Sequence, residues 1–164
     1  MEKEVWQKDK SLLDNLPERF TALLEERNKD HLSALIANLH PEDVAESFME
    51  LEDPDILALL NLLDAKTASK IVACIDSDFR ANILDEMEES RLAEIIREMH
   101  SDDAADLISE LNEEMAAEIL ASSEEDFKHV TTLLKYPEDT AGGIMETEII
   151  FVSQDITSQD VIDL

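Results

Sequence analysis

The chain is poor in glycine, cysteine and basic residues, and each shortage excludes a class of protein. Its 164 residues include two glycines, one cysteine, and 13 lysines and arginines against 41 aspartates and glutamates. Two glycines cannot build a glycine-rich phosphate loop, and the single cysteine, Cys74, allows no disulfide within the chain. The formal charge of −28 excludes electrostatic binding to nucleic acid or to an anionic membrane surface.

Long apolar runs and enzyme motifs are also missing from the sequence. The longest stretch without a charged residue, residues 31–41, has 11 residues, whereas a transmembrane helix needs about 20. Residues 1–10 contain no apolar core of a signal peptide. Because no nucleophile elbow, zinc-binding helix motif or catalytic triad is recognisable, we expect a protein that is not an enzyme.

What the sequence does contain is a twelve-residue apolar repeat. An apolar residue recurs at Leu39, Leu51, Leu63, Ile75, Met87, Met99 and Leu111. A second series precedes it by three residues, at Ile36, Phe48, Leu60, Val72, Leu84, Ile96 and Ile108. A third precedes it by four, at Leu35, Ser47, Leu59, Ile71, Ile83, Ile95 and Leu107. Spacings of three and four residues mark one face of an α-helix, so each unit is predicted to be helical.

The repeat predicts many short helices and not one long helix. At about 100° per residue, twelve residues turn the apolar stripe by roughly 120°, so a continuous helix would spread its apolar surface all round. Residues that favour helix starts recur once per unit, at His40 before Pro41, Asp53 before Pro54, Asp64, Asp76, Ser101 and Asn112. We therefore predict an all-α fold, a superhelical stack of about ten short helices.

The ends of the chain differ from the repeats. Residues 1–135 are predicted to form the helical domain, with 1–14 as a polar lead-in and a helix from Pro17 that caps the stack with Phe20. Residues 136–147 form a linker that holds both glycines, Gly142 and Gly143. A β-rich run at 149–152 and a helix start at 157–160 then predict that residues 148–164 begin a second domain.

The acidic residues are concentrated in one region. Sixteen carboxylates stand between Asp85 and Asp126, with only two basic residues, and they crowd at Asp102, Asp103 and Asp106 and again at Glu113, Glu114 and Glu118. Like charges one helical turn apart repel, so either water solvates this face or a divalent cation neutralises it. Oxygen ligands without histidine or cysteine favour Mg²⁺ or Ca²⁺. Cys74 lies in the core stretch of its unit and is predicted to be a buried structural thiol.

The repeats and the linker together resemble one known family. Segments such as 40–46 (His-Pro-Glu-Asp-Val-Ala-Glu) and the linker 136–145 (Tyr-Pro-Glu-Asp-Thr-Ala-Gly-Gly-Ile-Met) resemble the cytoplasmic N domain of MgtE-type magnesium transporters, followed by the start of the first CBS domain. The resemblance implies a right-handed superhelical domain at the cytoplasmic face of the inner membrane, in a homodimeric transporter whose pore lies beyond Leu164. Only those further segments would contact the membrane.

The resemblance also implies a mechanism and a set of site residues. In the family, the N domain docks on the CBS domains of the same transporter when Mg²⁺ is plentiful, and it releases to permit pore opening when Mg²⁺ is scarce. Carried over by motif, Asp102 and Asp106 match acidic positions that face the CBS domains, and the carbonyl of Gly143 matches a linker position beside them. Asp103 is a neighbouring candidate ligand, and Mg²⁺ is the expected ion.

Two other functions compete with a magnesium sensor. A superhelical stack presents a concave surface, so the domain could be a scaffold that binds other proteins, and its partner would then survive chelation of Mg²⁺. A general buffer of divalent ions would bind them equally well without the CBS segment. Calorimetry on the isolated domain separates the buffer from the sensor.

Overall fold

The fold is a run of short α-helices joined by tight turns, as the repeat predicts. The structure is a computed structural model that describes residues 15–137, 140–145, 147 and 159. Within these residues the helices are α1 (Leu16–Glu25), α2 (Lys29–Ile36), α3 (Pro41–Phe48), α4 (Asp53–Leu62), α5 (Ala65–Ala73), α6 (Ser77–Glu86), α7 (Glu89–Arg97), α8 (Ser101–Glu110), α9 (Glu113–Ser122) and α10 (Lys128–Leu133). In the described ranges no helix is both long and apolar enough to cross a bilayer.

The repeat correctly identifies the core. All residues of the two inner series are buried, including Ser47, whose hydroxyl donates to the carbonyl of Val44 at 2.6 Å. That local bond satisfies the one polar group in the series. The outer series lies at the helix ends, so it is buried less evenly. Leu63, for example, is 2% exposed, whereas Leu39 only packs against the edge of the core.

Helix starts are predicted well, with two shifts of one residue. Asp64 and Asn112 occupy N-cap positions, and their side chains accept the backbone N–H of the third helical residue at 2.9 Å. The Thr67 hydroxyl also donates to Asp64, and this hydrogen bond is the main cause that lowers the pKa of that carboxyl group. Asp76 likewise caps α6.

The two shifted starts are at α4 and α8. The N-cap residues there are Glu52 and His100, so Asp53 and Ser101 are the first residues of their helices. Ser101 is the first helical residue and not the N-cap, and its hydroxyl oxygen accepts hydrogen bonds from Thr147. His100 and its equivalent, His40, hold N-cap positions without a side-chain hydrogen bond to the helix start.

From α3 onward the helices stack in two rows, because most of them pack on the second helix along the chain. One row contains α3, α5, α7 and α9 in contact order, and in the other α4 contacts α6 and α8 contacts α10. Two successive units, about 24 residues, therefore make one layer of the stack. At its beginning α1 contacts α2, α3 and α4, and the ring of Phe20 meets Phe48 edge-on at 5.9 Å. This confirms that α1 caps the stack.

The prediction of a buried Cys74 is wrong. Cys74 is the C-cap residue of α5 and is exposed, because Ile71, Val72 and Ile75 take the core positions around it. The predicted lead-in, 1–14, and nearly all of the predicted second domain, 148–164, lie outside the described residues.

Candidate functional site

The three candidate aspartates share the N-terminal half of α8. Asp102 and Asp103 stand in its first turn, where carboxylates complement the positive end of the helix dipole. Asp106 follows one turn later, within about 5–6 Å of the Cβ atoms of both. All three are partly exposed. Sequence spacing alone thus places three carboxylates side by side on one helix.

Asp103 is the member that faces the end of α5. Desolvation raises the pKa of the Cys74 thiol, and the negative charges of Glu42 and Asp103 raise it further. Asp103 must therefore lie within electrostatic range of the Cys74 sulfur. Asp106 lies instead against the linker.

Asp106 and Gly143 line the same cavity. The cavity measures about 230 Å³ between α8, the end of α10 and the linker, and its lining residues are Ala105, Asp106, Ser109, Leu133, Leu134, Tyr136 and Gly143. Asp106 and Gly143 are 37 residues apart in the sequence, yet the fold brings both predicted site residues to one place. Asp102 is not among the lining residues and lies one helical turn before Asp106 on α8.

A tight turn positions Gly143. The Thr140 hydroxyl and N–H both donate to the carbonyl of Pro137, and the Gly143 N–H donates to the carbonyl of Thr140 at 3.0 Å. No other described residue donates a hydrogen bond to the carbonyl oxygen of Gly143. Gly143 therefore stands in a hydrogen-bonded turn that lines the cavity together with Asp106.

Gly142 is required by close packing in this turn. A Cβ atom added at Gly142 would lie 2.6 Å from Cδ1 and 2.7 Å from Cγ of Tyr136, well inside van der Waals contact. The absence of a side chain lets the turn lie flat on the Tyr136 ring. The ring in turn forms one wall of the cavity.

Apolar side chains surround this surface. Most of the exposed large apolar residues in the described part of the chain stand at this end of the molecule: Leu134 (36% exposed), Tyr136 (49%), Ile144 (68%) and Met145 (42%). We call the surface formed by Asp102, Asp106, the 140–144 turn and these side chains the α8–linker face. Exposed apolar groups around a polar centre are typical of a surface that another domain covers.

The oxygen atoms on this face are suitable ligands for a hard cation, but they do not form a complete metal site. Carboxylate and carbonyl oxygens are the ligands that Mg²⁺ prefers, together with several retained waters. Within the ranges that the structure describes, no three histidine, cysteine or acidic side chains converge as a metal site. The described side chains of the α8–linker face therefore do not form a complete metal site by themselves.

Comparison with known proteins identifies the family. The sequence model of the MgtE intracellular N domain matches residues 39–139. The chain belongs to this family. The resemblance read from the repeats and the linker is thereby confirmed.

Solved structures agree with this assignment. The fold of this MgtE N domain matches a crystal structure of the soluble part of a magnesium transporter with a TM-score of 0.82 and 25% identity, over 92% of this chain and 60% of that one. It also matches the cytosolic domain of the Mg²⁺ channel MgtE in complex with ATP, with a TM-score of 0.72 and 26% identity, over 90% and 61%. The chain thus spans about three fifths of each. No curated protein sequence matches it.

Two features of this N domain are not evident from its sequence. Thr147 bonds to Ser101 across 46 residues, which no local spacing rule indicates. A second group of acidic side chains lies between α7 and α9 and consists of Glu89, Glu114 and Glu118. The pKa of Glu89 is raised there, first by a hydrogen bond with Glu118, then by desolvation and by repulsion from Glu118 and Glu114. The crowding at 113–118 hints at this cluster, but only the stacking of α7 on α9 supplies Glu89.

Proposed function

We propose that this chain is the Mg²⁺-sensing regulatory domain of a magnesium transporter, on the cytoplasmic side of the membrane. The observation that carries the proposal is the cavity shared by Asp106 and the linker residue Gly143. Family membership and the two similar magnesium-transporter structures support the same conclusion. The proposed ligands are Asp102, Asp106 and the Gly143 carbonyl, with Asp103 as a neighbour that adds negative charge.

The physical basis is repulsion that an ion converts into attraction. The 164-residue chain has a formal charge of −28, so a second acidic surface that approaches the α8–linker face is repelled. A hydrated Mg²⁺ between the two surfaces would accept oxygens from both and keep its remaining waters. Because neither surface alone completes the shell, affinity for the ion is expected to be weak and to depend on docking.

The proposed partner is the pair of CBS domains in the same, homodimeric transporter. Ions that bind the docked arrangement more tightly than the open one shift the equilibrium toward docking. Docking at high Mg²⁺ would hold the pore closed, and loss of the ions would release the N domain. The exposed apolar side chains around the site would be covered only in the docked state.

The test is the compaction of the intact transporter by Mg²⁺. Small-angle scattering and limited proteolysis are followed from zero to several millimolar Mg²⁺, with NaCl at equal ionic strength as the control for charge screening. We expect compaction with Mg²⁺ alone, and we expect Asp102→Asn combined with Asp106→Asn to weaken it. Asp30→Asn combined with Asp85→Asn is the matched control, because it removes the same charge from exposed positions on α2 and α6.

Each alternative predicts a different outcome. If Mg²⁺ causes no compaction, or if both double variants respond equally, the sensor is wrong. A protein partner that stays bound after chelation would favour a scaffold. Equal Mg²⁺ binding by the isolated 164-residue chain and by the intact protein, measured by calorimetry, would indicate a general ion buffer.

A further inference from the structure

The linker is tied to α8 by two hydrogen bonds to one buried hydroxyl. Ser101, the first residue of α8, is 4% exposed. Its Oγ accepts the backbone N–H of Thr147 at 3.2 Å and lies 3.0 Å from the Thr147 hydroxyl, which donates to it. A hydroxyl oxygen has two lone pairs, so Ser101 can accept both bonds at once.

These bonds hold one end of a short loop whose other end is held by packing. Gly142 lies flat on the Tyr136 ring near the start of the loop, and Thr147 is fixed to α8 at its end. Gly143 stands between these two points and lines the cavity with Asp106. The position of Gly143 relative to Asp106 therefore depends on both attachments.

The second attachment also places the end of the linker next to the acidic residues. Thr147 is fixed at the N-terminal turn of α8, and Asp102 is the residue after Ser101. Thr147 therefore lies beside the acidic first turn of α8. Without these bonds the linker would sample more directions, and that freedom would be lost again on docking.

We infer that Ser101 and Thr147 form a latch that preorganises the linker and so sets the Mg²⁺ concentration at which the α8–linker face docks. The inference rests on the proposed function. Both are positioning residues, because they hold the linker and donate nothing to the ion. If only molecules with the latch formed can dock, the apparent affinity for Mg²⁺ falls in proportion to the fraction of molecules in that state. Since one net hydrogen bond corresponds to about a two- to tenfold change in an equilibrium constant, opening the latch should raise the Mg²⁺ midpoint by roughly three- to tenfold.

The first experiment tests the latch itself in the 164-residue chain without Mg²⁺. Hydrogen exchange of the Gly143 and Thr147 amides is compared among the wild type, Ser101→Ala and Thr147→Val. We expect faster exchange in both variants. Ser47→Ala is the matched control, because it removes a buried serine hydroxyl that donates within its own helix, to the Val44 carbonyl. Unchanged exchange in both latch variants would overturn the latch, whatever Mg²⁺ does.

The second experiment tests the regulatory role in the intact transporter. The Mg²⁺ midpoint of compaction should rise in Ser101→Ala and Thr147→Val, with the same final compaction, and should stay near the wild-type value in Thr147→Ser, which keeps the hydroxyl. If exchange accelerates but the midpoint does not move, the latch has no regulatory role and the proposed function still stands. If the wild type does not compact, the proposed function fails, and the regulatory role of the latch fails with it.

Discussion

Arg80 and Glu110 form a buried ion pair whose loss should cost more than that of any exposed pair in this domain. The Arg80 Nε donates to Oε2 of Glu110 at 2.9 Å, its Nη2 donates to Oε1, and its Nη1 donates to the Val72 carbonyl at 3.2 Å. The side chains are only 11% and 22% exposed. Three helices, α5, α6 and α8, are thus joined through one guanidinium group.

Glu110→Gln should destabilise the fold by about 3 kcal/mol. Breaking a buried pair typically costs about 3–5 kcal/mol, because the remaining charge stays buried without its partner. We take the lower end since water reaches Glu110, which is 22% exposed. Arg80→Met should cost less, because the methionine keeps the apolar stem and the released carboxylate can rehydrate. The double variant Arg80→Met, Glu110→Leu should be more stable than Glu110→Gln alone, as no buried charge is left.

Urea unfolding at 25 °C, followed by circular dichroism, measures these differences. With a slope of about 2 kcal/mol per molar urea, 3 kcal/mol lowers the midpoint by roughly 1.5 M. The matched control is Asp126→Asn, which breaks the exposed pair of Arg97 and Asp126, 39% and 41% exposed. It should cost no more than about 1 kcal/mol. Equal losses for Glu110→Gln and Asp126→Asn would refute the reasoning from burial.

Three smaller predictions concern single residues. Gly142→Ala should push the Tyr136 ring out of place and shift its NMR signals, those of the only tyrosine; unchanged signals would contradict the close packing. Asp64→Ala should cost about 1 kcal/mol at pH 7 by urea unfolding. Folding lowers the pKa of Asp64 from its ordinary value of 3.8, so the contribution of this carboxylate to stability is complete above pH 3.8 and is lost as the pH falls through the lowered pKa. The wild type and Asp64→Ala should therefore become equally stable in acid. Cys74, although exposed, should react slowly with iodoacetamide because its pKa is raised, and Asp103→Asn should speed the reaction; an unchanged rate would place Asp103 too far away.

The helical fold is predictable from the sequence because its signal is local. Spacings of three and four residues identify the buried face, and every residue of the two inner series, from Leu35 to Ile108, is buried. The same spacings cannot say which helix packs on which, so the two-row arrangement does not follow from them. Cys74 shows a related limit, because it is the C-cap residue just after α5, where the spacing does not determine whether a side chain is buried or exposed.

The candidate site is likewise predictable only in part from the sequence. The spacing of Asp102, Asp103 and Asp106 is visible in the sequence because all three share α8. Gly143 meets only Asp106, and only in three dimensions. It is predicted as a site residue from the resemblance of the linker to a known family, because no local pattern points to it. The bond between Ser101 and Thr147 depends on the path of the linker, which no local pattern encodes.

The two arginines in the acidic region of this domain are engaged within the helical stack. Between Asp85 and Asp126 the only basic residues are Arg91 and Arg97. Arg91 donates to the Leu60 and Leu63 carbonyls and to a glutamate of its own helix, and Arg97 pairs with Asp126 and lies over the Phe127 ring. Both side chains therefore already stabilise the stack. An acidic partner that approaches α7 to α9 would therefore meet carboxylates that neither arginine is placed to bridge. The positive charge would have to come from a divalent ion in solution or from Lys128 and Lys135, which are exposed on and just after α10.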